Sequence, residues 1–268
     1  MTEIQESNKI VEEIYQKFGT FSLPYQTDVR RFTENVKLLQ WVAQCLPPKK
    51  GRLLDIASGP GLLVAAGQKV GFTSEGVDKY IFPQNDNTYF KIQEIEKLQQ
   101  IWQGFGVTVQ PWSYDEISSR YLAGSLQVIT CDAFVEHLTE SPRNLLTDAF
   151  KLLEPGGYFI LTTPNLVSLL RRVRFMLGYS CMWDFKDYWQ SDLFLGHRRE
   201  FTVSEIEKMC QSTGFEVKQL YTKNVYPLGE IKKYGLVKIF VRSLISVFSR
   251  FVPNSGEIIY LVAQKPKG

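Results

Sequence analysis

The run Leu53-Leu54-Asp55-Ile56-Ala57-Ser58-Gly59-Pro60-Gly61 constrains this chain more than any other. An apolar segment ends in an acid and passes at once into a glycine-rich turn. That is the pattern of a buried parallel strand delivering its chain to a ligand at its carboxyl end. The pattern recurs downstream. Gly71 to Val77 reads as a strand ending at Asp78, Val107 to Val109 as one before Pro111-Trp112, and Leu126 to Thr130 as one before Cys131-Asp132. Tyr158 to Thr162 reads as a strand closed by Pro164-Asn165, and Phe215 to Leu220 and Glu257 to Ala263 as two more. Helical patterns at 62–69, 91–103, 142–153 and 204–213 fall between them. Strands alternating with helices predict a mostly parallel sheet covered on both faces, with a ligand crevice where the acids gather.

The 268 residues, 44% of them hydrophobic, suffice for a single α/β domain with extra segments. Residues 1–50 read as a helical N-terminal cap: Ile10, Val11, Ile14 and Phe18 share one face, and Val36, Leu39, Val42 and Ala43 another. Gly19 to Arg31, with Tyr25, reads as irregular, and a closing role for Tyr15, Tyr25 and Arg30 is weaker than packing. Two stretches, 166–200 and 226–256, are too long for ordinary connections. The first mixes Leu169, Leu170, Phe175 and Met176 with Arg171, Arg172 and Arg174, then carries Trp183, Phe185, Tyr188 and Trp189. The second sets Lys238, Arg242 and Arg250 among Leu236, Ile239, Phe240, Leu244, Phe248 and Phe251. Such segments suit a lid or a homodimer face first, and peripheral contact with a membrane second. Their arginines lie among apolar residues rather than along a solvated groove, and a net charge of +3 is mild, so no nucleic-acid partner is expected.

Four scattered cysteines without a CxxC pair, and no apolar leader, predict a cytoplasmic protein, peripheral to the inner face of a membrane if the segments make that contact. No run of eighteen apolar residues is present, so no conventional spanning helix is expected. Two histidines are too few for a histidine-based metal cluster, and no metal is expected.

The turn itself narrows the ligand. A dinucleotide fingerprint asks for a small residue three places after its second glycine, where Val64 stands, and a phosphate loop asks for Gly-Lys-Ser/Thr, where Leu62-Leu63 follows Gly61. Asp55 would repel a pyrophosphate but can pair with an ammonium group, and Asp78 is placed for a ribose diol. A ligand with an adenosine, a ribose and a cationic amino-acid tail satisfies both acids.

The chain resembles the class I S-adenosylmethionine-dependent methyltransferases, in particular their small-molecule O-methyltransferase-like members. The resemblance rests on Asp55 to Gly61, Gly76-Val77-Asp78, Asp132 to Leu138, Leu152 to Tyr158, Thr163-Pro164-Asn165, His197 to Thr202 and Gly214-Phe215, in that order over about residues 50–220. It implies a Rossmann-like three-layer α/β sandwich with a seven-stranded, mostly parallel sheet and an antiparallel C-terminal strand. It implies S-adenosyl-L-methionine as cofactor, held by Asp55, Ala57, Ser58, Gly59, Gly61, Asp78, Lys79, Trp112, Cys131, Asp132 and Ala133. The sequence departs from the family pattern at Ala57, where the first glycine of the turn would be. It departs again at Gln110-Pro111-Trp112-Ser113, where an acid near the adenine is common and Trp112 could stack instead.

Methyl transfer from a sulfonium needs an acceptor held in line and a group to take the acceptor's proton. His137 and His197 are the candidates, because imidazole titrates near neutrality. Each has a structural alternative: His137 could begin the helix after the fourth strand, and His197 could hold down the aromatic excursion. Glu136 reads as a helix-start acid. The expected substrate is a small molecule, hydrophobic if the two segments receive it, methylated at oxygen. The competing readings are a non-catalytic adenosylmethionine-binding module and, behind it, a nicotinamide-dependent oxidoreductase.

Overall fold

The computed structural model describes residues 3–19, 21, 29–47, 51–79, 92–182, 184–190, 196–225, 247–249 and 251–267. Tyr25, Trp183 and most of the second apolar–basic stretch, 226–246 with Arg250, lie outside the described residues. Parallel strands β1 (Arg52–Ile56), β2 (Thr73–Val77), β3 (Thr108–Gln110), β4 (Leu126–Asp132) and β5 (Leu153–Pro164) join β6 (Glu216–Lys223) and β7 (Ile258–Gln264) in one seven-stranded sheet. Its order is β3-β2-β1-β4-β5-β7-β6, with β7 antiparallel to both neighbours. The order reverses between β1 and β4, and an open α/β sheet leaves its crevice at such a point.

Alternation along β1 divides the core. Leu53 faces one apolar cluster, with α1 (Glu3–Phe18), α2 (Val29–Cys45), α3 (Leu62–Val70) and α4 (Ile92–Phe105). Leu54 and Ile56 face the other, with α5 (Ile117–Arg120), α6 (Arg143–Leu152) and α9 (Val203–Thr213). A strand covered on both sides must be apolar at successive positions, and for this reason β1 reads as a continuous run. The N-terminal cap docks as its periodicity predicts: Ile14, Val36, Leu39 and Val42 are fully buried. At about 1.5–3 kcal/mol per buried side chain, these positions hold α1 and α2 to each other and to α3.

Some boundaries differ from the sequence reading. α2 begins at Val29, so Arg30 and Arg31 are helical rather than in an irregular stretch. β4 continues through Cys131 to Asp132, because Cys131 pairs in register with Ile56 on one side and Leu161 on the other. β5 starts at Leu153, opposite Leu126; the chain then loops out, with Gly156 at φ +84°, before pairing resumes at Val128 and Tyr158. His137 ends a single 3-10 turn, Val135–His137, rather than beginning a helix, and the helix expected over 142–153 is α6, Arg143–Leu152. α9 starts as its sequence predicts, with Thr202 and Glu205 in a reciprocal capping box.

The 166–200 stretch leaves and re-enters the domain at one point, where Asn165 bridges Phe201 and the Leu166 N–H donates to the Phe201 carbonyl at 3.0 Å. Asn165, fully buried, donates to the carbonyls of Asn254 (2.9 Å) and Gly256 (2.8 Å), so its amide also pins the end of the second stretch. Beyond this knot, α7 (Leu169–Met176) buries none of its residues. Phe175, Met176, Leu177, Tyr179, Met182 and, on α8 (Phe185–Gln190), Phe185, Tyr188 and Trp189 are exposed. No helix among the described residues is long and apolar enough to cross a membrane. The four cysteines form no disulfide.

Candidate functional site

The glycine turn is held by the backbone and by one indole. Ala57 (φ +55°), Gly59 (φ +53°) and Gly61 (φ +92°) occupy left-handed conformations. The Ser58 N–H donates to the Val77 carbonyl (3.2 Å) and the Gly61 N–H to the Ser58 carbonyl (3.0 Å). Trp102 of α4 donates its indole N–H to the Pro60 carbonyl at 2.8 Å. A Cβ on Gly61 would lie 2.9 Å from that indole nitrogen, and one on Gly76 would lie 2.5 Å from Ser58 Oγ. Both glycines therefore exist to let the turn fold tightly against β2 and α4. Ser58 Oγ is buried and has no hydrogen-bond partner among the described residues, which leaves a polar atom for a ligand to satisfy.

Acids converge on this turn. Asp55 is 2% exposed and its carboxylate accepts from Thr130 Oγ1 at 2.6 Å. Burial pushes its carboxyl well above the usual range, and the charges of Asp132 and Asp78 push it further. Asp78 Oδ2 accepts the Gly59 N–H at 3.0 Å, which fixes the carboxylate at the end of β2. A buried acid raised by two other acids is an environment that a cation relieves, and Asp78 at a strand end suits a diol.

Asp132 is committed elsewhere than the sequence suggested. Its Oδ1 accepts from Arg31 (3.1 Å), Asn35 (2.9 Å) and the Thr162 hydroxyl, so it ties α2 to the ends of β4 and β5 instead of facing a ligand with that oxygen. Arg31 and Asn35 stand about a hundred positions upstream, and no local pattern marks the contact. The Cys131 side chain is also spoken for: it is buried in the apolar cluster against α6. Ala133 turns the chain at φ +50° and donates its N–H to the Thr162 carbonyl at 3.0 Å. Trp112, after β3, packs edge-on to Tyr121 at 6.1 Å, with the Arg120 guanidinium over its ring at 5.0 Å. Lys79 is half-buried at the end of β2; after the Ser113 hydrogen bond, its charge helps hold Asp115 below the usual carboxylate range.

The two histidines, sixty positions apart, meet just beyond β4. Their ring centroids are 4.9 Å apart, nearly perpendicular. The backbone N–H groups of Arg198 and Arg199 both donate to the Glu136 carbonyl (2.7 and 3.2 Å), and this clamp brings the returning chain onto the 3-10 turn. His197 Nδ1 lies 2.5 Å from Glu200 Oε1. A carboxylate accepts, so the ring carries its proton on Nδ1. Glu200 in turn pairs with Arg171 of α7. Burial, with the charges of His137, Arg171 and Arg31, pushes His197 down to about 3. The imidazole is neutral at ordinary pH and a weak proton acceptor.

Glu136 is the group the sequence reading undervalued. It is fully buried rather than a helix-start acid; Thr163 Oγ1 donates to its Oε2 at 3.0 Å, and its Oε1 has no hydrogen-bond partner among the described residues. Burial pushes it up to about 7 against the hydrogen bonds that favour its anion. Oxygen and nitrogen atoms of Glu136, His137 and His197 lie within 4.8 Å of one another. A cavity of about 900 Å³ between α6 and α9, bordered by Val135, Leu138 and Arg198, backs onto this turn from the other side.

Comparison with known proteins places these features in a family. A family model described as "Methyltransferase domain" matches residues 28–220. A curated relative, a ubiquinone biosynthesis O-methyltransferase from Xanthomonas axonopodis pv. citri, is 27% identical over 47% of this chain and 48% of its own, so that match spans about half the relative's length. The protein of the same name from Psychrobacter arcticus is 26% identical over 88% of this chain and 89% of its own. Among solved structures, a SAM-dependent methyltransferase from Archaeoglobus fulgidus superposes with a TM-score of 0.57 at 16% identity, over 92% of this chain and 100% of that one.

Proposed function

The chain belongs to the class I S-adenosylmethionine-dependent methyltransferases, and from that premise we propose that it methylates an oxygen of a small-molecule acceptor. Bound S-adenosylmethionine supplies a methyl group on a sulfonium, already activated for in-line attack. The residues at the turn fit that cofactor: an acid-rich, buried pocket for its cationic groups, Asp78 for its ribose, a partnerless Ser58 hydroxyl, and left-handed backbone that approaches without side chains. Asp55, Ala57, Ser58, Gly59, Gly61 and Asp78 would hold it, with the backbone of Cys131 and Ala133, and with Lys79 and Trp112 at the rim.

The observation that favours oxygen is the Glu136–His137–His197 cluster. A hydroxyl must shed its proton as the new C–O bond forms, and it needs hydrogen-bond acceptors that orient it. The unpartnered Glu136 Oε1 and two imidazoles supply them next to the switch point of the sheet. The names of the Xanthomonas and Psychrobacter relatives point to the same acceptor atom.

The test is S-adenosylhomocysteine release, measured against a panel of phenols, catechols and matched amines. Turnover confined to hydroxylated acceptors supports the reading, and turnover of the amines alone overturns it. Glu136→Gln should lower kcat by about 10²–10⁴-fold, the range for loss of a proton-transfer group, while S-adenosylhomocysteine binding stays within about twofold. Calorimetry with S-adenosylhomocysteine and with NADH separates an inactive binding module and an oxidoreductase from this reading.

A further inference from the structure

We propose that Glu136, His137 and His197 form a binding site for one divalent cation of the zinc class. Two imidazoles and a carboxylate are a donor set that such ions accept, with bonds of about 2.0–2.2 Å and therefore donors about 3.4 Å apart. The three side chains already bring their donor atoms within 4.8 Å of one another, so the widest pair closes by rotamer-scale movement.

Four features mark a built site rather than a chance cluster. Glu136 Oε1 is buried without a hydrogen-bond partner among the described residues, a costly arrangement that a cation relieves. His197 is oriented from behind by Glu200 at 2.5 Å, the carboxylate–histidine support that fixes ring and tautomer in metal sites. The charges leave room for a cation: Arg171 is paired with Glu200 and Arg31 with Asp132 at 3.1 Å, so both neighbouring guanidiniums already have a carboxylate. The backbone clamp of Arg198 and Arg199 on the Glu136 carbonyl locks the two ligand-bearing segments together. The expectation of no metal from only two histidines did not foresee that the fold joins both of them to a buried acid.

Three protein ligands leave a coordination position open. An acceptor hydroxyl bound there would ionise more readily, as water does on such ions. That role rests on the oxygen-acceptor reading above; the site itself does not.

The test is titration of chelator-treated full-length protein with Co²⁺, followed by calorimetry and visible absorption, and with Zn²⁺ in competition. About one ion per chain is expected, with the absorption of a nitrogen- and oxygen-ligated ion. Glu136→Gln and His197→Ala should weaken binding at least tenfold, and Glu200→Gln by about 10–100-fold through loss of the supporting carboxylate. His137→Asn, at a half-buried position, serves if a variant at a buried position fails to fold. S-adenosylhomocysteine affinity is measured in parallel and should stay within about twofold, which keeps the cofactor reading separate. Absence of stoichiometric binding to the parent protein, or binding undiminished in the folded variants, overturns the site.

Discussion

Replacing Gly61 by alanine tests whether the turn after β1 is held as described. The position has φ +92°, and alanine in left-handed backbone costs about 1–2 kcal/mol. Its Cβ would sit 2.9 Å from Trp102 Nε1 and 3.1 Å from Val109 Cγ2, an overpacking of the kind that costs about 1–3 kcal/mol. If the indole moves away, its hydrogen bond to the Pro60 carbonyl is lost, a further 0.5–1.5 kcal/mol, roughly. The total, about 2.5–6.5 kcal/mol, is a large part of the 5–15 kcal/mol by which domains are usually stable, roughly. Urea unfolding should show a lower midpoint at unchanged slope, and Tm should fall by about 5–25 °C. Trp102→Phe removes the indole nitrogen, so Gly61→Ala should cost at least about 1 kcal/mol less in that background. A Gly61→Ala protein within about 0.5 kcal/mol of the parent, or a penalty unchanged by Trp102→Phe, refutes the packing argument.

Other outcomes follow from the same geometry. Asp55→Asn keeps an acceptor for Thr130 but removes a buried ionisable group. Because the folded-state pKa is raised, the acid's contribution is full below its unfolded pKa and is lost as pH rises through the folded value. The variant should therefore gain on the parent as pH climbs from about 4, seen by denaturation at several pH values, while its S-adenosylhomocysteine affinity falls. Arg31→Ala strips the guanidinium from Asp132, which is partly exposed and keeps Asn35 and Thr162 as donors, and should destabilise by about 1.5–3 kcal/mol, the range for a hydrogen bond to a charged group. Proteolysis should then cut first in the N-terminal cap. Gly76→Ala should weaken S-adenosylhomocysteine binding in calorimetry, because its Cβ displaces Ser58 Oγ and Val64 Cγ2. Serine at Phe175, Met176 and Trp189 should leave unfolding free energy within about 0.5 kcal/mol per site, and retention on a hydrophobic matrix should drop, since all three are exposed.

The sheet and its first turn were legible because their causes are local. Leu53 and Leu54 must both be apolar in a strand buried on two faces, and Gly59 and Gly61 mark left-handed backbone whatever lies around them. Local signals failed where partners are remote. Cys131-Asp132 looked like a strand end open to a ligand, yet Cys131 continues the ladder into Ile56 and Leu161, and Asp132 is claimed by Arg31 and Asn35 of α2. Glu136 looked like an acid at a helix start because Glu-His-Leu precedes a helical pattern. The helix begins only at Arg143, and the intervening turn is buried under residues 196–201. The spacing of His197 and Glu200 was the one available hint of a supported imidazole.

The N-terminal cap and the excursion at 166–200 converge on the same place from distant parts of the chain. Arg31 reaches Asp132 at the end of β4, and Arg171 reaches Glu200 behind His197, so each added segment contributes one buried or half-buried arginine to the rim of the crevice. Both arginines depress His197, and Arg31 also favours the Glu136 anion. The site's electrostatics thus depend on whether the two segments are docked, while the acids at the glycine turn belong to the sheet itself. Removing Arg171 should consequently alter the His197–Glu136 cluster and spare the cofactor pocket. With Arg171→Gln, proton NMR should show the His197 imidazole titrating at higher pH than in the parent. That shift follows from the lost cation and from a stronger pairing with the unneutralised Glu200. S-adenosylhomocysteine affinity should stay within about twofold. An unmoved His197 would mean that burial alone sets its proton affinity, and that the excursion does not tune the cluster.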